Sequence, residues 1–172
     1  AIVEYTIPNS VTEIGGYAFS NNKNLTSITI PDSVTTIGEG AFYSCGSLTS
    51  ITIPQSVKSI GEEAFALCYK LTKITIPASV EVIGLNAFYC CTSMNEIIVS
   101  PENEIYTSID GVLFSKDMKT LINYPQGKSG SEYTVPNSVT SLEAYSFFSC
   151  DSLEKVFIPD SVTQIGDCAF YE

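Results

Sequence analysis

The chain has 172 residues, 44% of them apolar, and a net charge of −11 from eight Lys and Arg against 19 Asp and Glu. That length and apolar content suffice for one body with a buried core. All eight cations are lysine, so the bidentate guanidinium that favours phosphate is missing and the net charge opposes nucleic acid and anionic lipid alike. There is no His, which removes the commonest metal ligand and every Ser-His or Cys-His nucleophile.

The first elements belong to a coil entered partway: Ile2, Tyr5 and Ile7 fill apolar places that recur later as Leu25, Ile28 and Ile30. In Leu25–Pro31, Ile28 and Ile30 alternate with threonine, the period-two pattern of a strand with one dry face. Pro31 ends that strand because it has no amide hydrogen to give to a ladder. Val34 to Ile37 is β-branched and expected to be extended, and Gly38 turns the chain. Ala41, Phe42 and Cys45 then stand at i, i+1 and i+4, which predicts one short helical turn with a single buried face.

The same grammar returns along the chain. Pro8, Pro31, Pro54 and Pro77 are separated by 31 − 8, 54 − 31 and 77 − 54, each 23, and Pro136 to Pro159 gives 23 again, a period in the range of solenoids. Aligned on proline, the units place Phe19, Phe42, Phe65, Phe88, Phe147 and Phe170 in one column. Val11, Val34, Val57, Val80, Val139 and Val162 form a second column, and Ile14, Ile37, Ile60, Ile83, Leu142 and Ile165 a third. No single coil can bury these side chains, so they define a core made by stacking.

Residues 1–99 are regular units, 100–135 form one longer unit, and 136–172 return to the pattern. The interval from Pro77 to Pro136 is 59, which exceeds two periods of 23 by 13. Tyr106–Ser115 and Thr120–Tyr124, joined by Lys116–Lys119, account for the excess as the two strands of a β-hairpin. That hairpin either thickens the array at one coil or stands out as a binding element. In the next unit Glu143 takes the place of Gly15, Gly38, Gly61, Gly84 and Gly166, so the turn does not demand a positive φ in every coil.

The sequence Leu-x-x-Ile-x-Ile-Pro-x-x-Val-x-x-Ile-Gly-x-x-Ala-Phe-x-x-Cys resembles the BspA-like class of leucine-rich repeats, unit by unit over residues 1–99 and 135–172. The stretch from Tyr106 to Lys128 resembles the longer unit that interrupts such arrays. The resemblance implies a right-handed leucine-rich-repeat solenoid of α/β type: a parallel sheet on one face, short extended segments and short helices on the other, and one hairpin insertion. It also implies an extracellular or cell-surface protein that meets a protein ligand on a host or neighbouring cell.

Cys45, Cys68, Cys91 and Cys150 all stand fourteen after their proline. Coils roughly 5 Å apart would permit a disulfide. A ladder of buried thiols is the better reading, because three successive cysteines cannot pair off and Asn22 holds the place in the first unit. No paired spacing for a metal is present, and no cofactor is expected. The acidic pairs Glu62–Glu63 and Glu102/Glu104 read as solubilising charge on turns, and no catalytic residue is assigned.

Two patterns remain as candidate binding surfaces. Outward places of the strand column hold Thr6, Thr29, Thr52, Thr75, Ile98, Thr134 and Phe157; Phe157 beside Lys155, with Lys73 in the matching place of an earlier coil, is the most ligand-like feature of that face. Tyr43, Tyr89, Phe148 and Tyr171 form an aromatic row twelve after proline that could stack sugars or could pack on itself. A protein-binding module for adhesion is the first functional reading, a carbohydrate-binding module the second and a structural spacer the third. No apolar run approaches the roughly 20 residues of a membrane helix. No charged start followed by an apolar run marks a leader within these residues, and a unit cut at each end marks an excerpt of a longer array, whose open coils would favour end-to-end self-association.

Overall fold

The computed structural model describes residues 2–171. Strands β1 (Glu4–Thr6), β2 (Glu13–Ile14), β3 (Ser27–Thr29), β4 (Thr36–Ile37), β5 (Ser59–Ile60), β6 (Lys73–Ile76), β7 (Val82–Ile83) and β8 (Glu96–Val99) make the regular coils up to the long unit. That unit contributes β9 (Tyr106–Ile109), β10 (Val112–Ser115) and β11 (Thr120–Asn123), after which β12 (Glu132–Thr134), β13 (Ser141–Leu142), β14 (Lys155–Phe157) and β15 (Gln164–Ile165) resume the winding. The result is a β-solenoid with two parallel rows. Strands before each proline pair as β1-β3, β6-β8 and β12-β14, and the β-branched pieces after it pair more continuously as β2-β4-β5-β7. Register keeps equivalent residues opposite one another, Tyr5 with Ile28 and Ile37 with Ile60, so each apolar column stacks on itself.

Among the described residues there is no helix, and the expected helical turn after each glycine is instead a run of turns. The reason lies in where its amides point. In the coil headed by Pro31, Gly40, Phe42 and Ser44 donate to the carbonyls of Glu62, Ala64 and Ala66 in the next coil, each at 2.8 Å. The amides between them turn back three residues, Ala41 to Gly38 and Tyr43 to Gly40. An α-helix needs every amide to bond within its own segment four residues back, so this alternation precludes one. It is achieved by two residues of left-handed φ per coil, such as Gly40 at 54° with Ser44 at 60°, and Glu63 at 53° with Leu67 at 60°.

The repeated glycine has a different purpose from the one its type suggests. None of Gly15, Gly38, Gly61, Gly84 or Gly166 has a positive φ. A Cβ on Gly61 would lie 2.5 Å from the Glu39 amide nitrogen, and one on Gly84 would lie 2.3 Å from that of Glu62, so glycine is required by the approach of the preceding coil. Glu143, whose coil stacks on the long unit, is exposed and lines the space between the two.

The long unit is also more folded than a single hairpin. Tyr106–Ser115 splits at Asp110–Gly111, both at positive φ (50° and 78°), into antiparallel β9 and β10, and β10 pairs antiparallel with β11. Asp-Gly between two apolar runs is the signal of a type I′ turn. β11 then joins β13 in parallel, with Leu121 opposite Leu142. Leu113 packs into the core of the first coils, whereas Val112 and Phe114 pack into that of the last, so β10 separates two apolar clusters.

Candidate functional site

The face before the prolines is shaped by the alternation of its strands. Ile74 and Ile76 are buried while Thr75 between them is exposed, and in β8 Ile98 stays exposed between buried Ile97 and Val99. Register sets Thr6 against Thr29, Thr75 against Ile98 and Thr134 against Phe157. The row is therefore flat and polar where threonine occupies it, and apolar at Ile98 and at Phe157, which keeps 43% of its surface. Lys155 lies with its Nζ 4.5 Å from the Phe157 ring centroid, a cation over an aromatic face. Glu132 stands opposite Lys155 and Glu96 opposite Lys73 in the strand register. Lys73 and Lys155 are not brought together, because β6 and β14 belong to separate sheets with the long unit between them.

The aromatic row twelve after proline is spent partly on itself. Phe148 is buried, its centroid 4.5 Å from Tyr89 and 5.6 Å from Tyr171, with the Tyr171 ring parallel to it at 3°. Tyr43 is separated from Tyr89 by the coil that places buried Ala66 at this position, and contacts Tyr17 edge-on instead, at 6.3 Å. Burial pushes the Tyr89 hydroxyl up to about 12.

The thiol column lies inside the stack. Cys45, Cys68 and Cys91 are free and buried, and their Sγ atoms donate to the carbonyls of Phe19, Phe42 and Phe65 at 3.1, 3.3 and 3.1 Å. Asn22 holds the same place with its Nδ2, which donates to the Phe19 carbonyl at 3.0 Å. Loss of water drives the Cys45 thiol up to about 11 and Cys91 up to about 12, and Cys68 is raised as well. The thiolate is the reactive form, so at pH 8 a maleimide is expected to label exposed Cys168 and leave Cys45, Cys68 and Cys91 unmodified. All six cysteines become available in denaturant; native labelling of the three, or a missing pair after unfolding, contradicts the ladder.

Several features escaped the sequence reading. The only ion pair among the described residues joins exposed Lys58 and Glu81 at 3.8 Å, a geometry that contributes little. Asn103 is fully buried and ties the long unit to the coil before it through Pro77 and Val80. Its signal was available, since Asn103 stands two after Pro101, where other units have Ser33, Ser56 and Ser79. A cavity of about 320 Å³ opens beside the long unit, lined among others by Asn86, Tyr89, Tyr106, Gln126, Glu143 and Tyr145. Glu62, Glu63, Glu102 and Glu104 do not line it.

The family model for BspA type leucine-rich repeat regions matches residues 1–120 and 125–172, in six copies. No curated protein matches the chain. Among solved structures, a leucine-rich repeat protein from Eubacterium ventriosum is 32% identical, with a TM-score of 0.90 over 99% of this chain and 45% of its own. The pneumococcal vaccine antigen PcpA is 30% identical, with a TM-score of 0.79 over 98% of this chain and 48% of its own. A leucine-rich cell surface protein from Faecalibacterium prausnitzii is 32% identical, with a TM-score of 0.66 over 98% of this chain and 58% of its own. The chain thus spans about half the length of these solved relatives.

Proposed function

The chain belongs to the BspA-type leucine-rich repeat family, and from that premise we propose that it is a non-enzymatic protein-binding module for adhesion at a cell surface. The observation that carries this reading is the exposed row of Thr29, Thr52, Thr75 and Ile98, continued past the long unit by Phe157 under Lys155. A partner laid along it would meet a surface set by strand alternation at Thr29, Thr75 and Ile98, whose neighbours Ile28, Ile30, Ile74, Ile76, Ile97 and Val99 are buried, whereas Phe157 stands between half-buried Val156 and exposed Ile158. Phe157, with the Lys155 ammonium over its ring, offers an exposed aromatic side chain that can anchor in a pocket of a partner. Two of the solved relatives, described as a cell surface protein and a vaccine antigen, support the surface setting. The partner is then a protein on a host or neighbouring cell.

The test is a binding screen against extracellular-matrix proteins and glycans. Phe157→Ala is expected to weaken a protein hit about thirtyfold or more, the size of a 2 kcal/mol hot spot, and Lys155→Glu to weaken it further. Protein hits indifferent to both variants reject the sheet face as the site. Glycan hits lost on changing Tyr43 or Tyr89 replace the proposal with the carbohydrate reading.

A further inference from the structure

Wherever one regular coil stacks on the next, three amides cross between them, nine, eleven and thirteen residues after the proline. Glu63, Phe65 and Leu67 donate to the carbonyls of Leu85, Ala87 and Tyr89 at 3.1, 2.8 and 2.7 Å, and Tyr145, Phe147 and Ser149 do the same to Asp167, Ala169 and Tyr171. In the coil headed by Pro77 the equivalent donors are Asn86, Phe88 and Cys90. Among the described residues none of those three amides has an acceptor. Their backbone is nonetheless set as in the other coils, with left-handed φ at Asn86 (58°) and Cys90 (55°).

The missing acceptors trace to a shortfall in chain length. Tyr124 takes the phenylalanine place of the long unit, its ring 5.3 Å from Phe147, and β11 takes the β-branched place with Leu121 opposite Leu142. A regular coil spends 42 − 37 = 5 residues from Ile37 to Phe42, and the long unit spends 124 − 121 = 3 from Leu121 to Tyr124. Two residues short, this rung cannot bow out to reach the coil before it. It does satisfy the coil after it, through the Tyr124 amide to Ser146 and Gln126 Nε2 to Phe148, both at 2.8 Å. The cavity of about 320 Å³, lined by Asn86 and Phe88 and ending short of Cys90, is the gap left on the unsatisfied side. Asn86 Oδ1 and Gln126 Oε1 in its walls are buried without a donor, so the gap lacks donors as well as acceptors.

We infer that this gap is a peptide-binding site, in which an extended segment of a partner protein supplies the carbonyls that the shortened rung cannot. Amides on alternate residues 86, 88 and 90 match the two-residue repeat at which an extended chain presents its carbonyls to one side. The same row in the other coils already holds main chain. A main-chain amide also brings the N–H that the two wall oxygens lack. Glu143 is the one charged residue of the lining, so the segment that fits carries lysine or arginine. This site is separate from the sheet face of Phe157 and does not depend on it.

The experiment uses the ¹⁵N-labelled chain. In the free protein the amides of Asn86, Phe88 and Cys90 are expected to exchange about a hundredfold faster than those of Glu63, Phe65 and Leu67. Capped peptides selected from a random heptapeptide display library are then titrated in, with N-acetylglucosamine and maltose as sugar probes. Bound peptides should shift those three amides together, carry a basic residue and weaken as salt is raised. Glu143→Trp, at an exposed position, and Thr120→Trp each block the gap and should lower affinity about tenfold or more, whereas Phe157→Ala should leave it unchanged. Equal exchange of the two amide sets, a library yielding no peptide sensitive to Glu143→Trp, or sugars that move the three amides while peptides do not, each overturn the inference.

Discussion

Phe65→Ala is expected to lower the stability of the chain by about 3 to 5 kcal/mol, the range for a large aromatic removed from a core that cannot collapse around the void. Phe65 is fully buried, with Phe42 stacked on one side at 5.3 Å and 4° and Phe88 on the other at 6.1 Å and 12°. The neighbouring rings cannot close the gap, because their own backbones are held by the amides that cross between coils at Phe42 and Phe65. Transfer energy is lost together with ring contact on two faces. The control is Phe170→Ala, in the same column but 41% exposed, for which a far smaller change is expected. Denaturant titration followed by circular dichroism separates the two, and equal midpoints for Phe65→Ala and the parent chain would refute the stacked column as the source of stability.

What was legible in the sequence follows from which interactions repeat. The proline, valine, isoleucine and phenylalanine columns recur at one interval because each stacks on its own copy, so their identity is constrained in every coil and the core could be read directly. The helical turn could not be told from the true turns, since Ala41, Phe42 and Cys45 face the core in either. The residues that decide between them are those at left-handed φ, and in successive coils these are Tyr17, Gly40, Glu63, Asn86, Tyr145 and Cys168, which share no chemistry. A positive φ costs the non-glycine residues about 1 to 2 kcal/mol, offset at Tyr17, Glu63 and Tyr145 by a hydrogen bond to the next coil. That compensation leaves no mark in a single repeat.

The candidate surfaces were legible to different degrees. Outward Thr, Ile98 and Phe157 followed from strand alternation, and all are exposed as that alternation requires. The cavity was not legible, because it exists through a difference in length between Leu121–Tyr124 and Ile37–Phe42 that becomes visible only once Tyr124 is seen to occupy the phenylalanine column. A tyrosine followed by proline gave no reason to place it there. Asp110–Gly111 did carry a turn signal, which the reading of Tyr106–Ser115 as one continuous strand passed over.

Asn103→Ala is expected to be as damaging as the loss of Phe65, although it removes no apolar surface. Asn103 has no solvent exposure and satisfies four main-chain groups: its Nδ2 donates to Pro77 and Val80 carbonyls, each at 2.9 Å, and its Oδ1 accepts from the amides of Ile105 at 2.9 Å and Tyr106 at 2.7 Å. Removing one partner of a buried hydrogen bond leaves the other with a desolvation cost of about 1 to 3 kcal/mol. Four such losses, relieved in part by water reaching Ile105 and Tyr106, give an expected destabilisation of about 3 to 5 kcal/mol. The serines that hold this place elsewhere reach a single valine carbonyl, Ser56 to Val34 at 2.6 Å and Ser79 to Val57 at 2.7 Å. Asn103→Ser should therefore recover the bond to Val80 and only part of the stability, while Asn103→Asp should be no better than alanine, since it keeps the acceptor but faces two carbonyls with a buried charge. Hydrogen exchange gives the local readout: protection at Ile105 and Tyr106 should fall in Asn103→Ala while that of Phe42 and Phe65 follows global stability alone. A loss below about 1 kcal/mol, or unchanged protection at Ile105 and Tyr106, would mean that β9 is held by its pairing with β10 and not by this side chain.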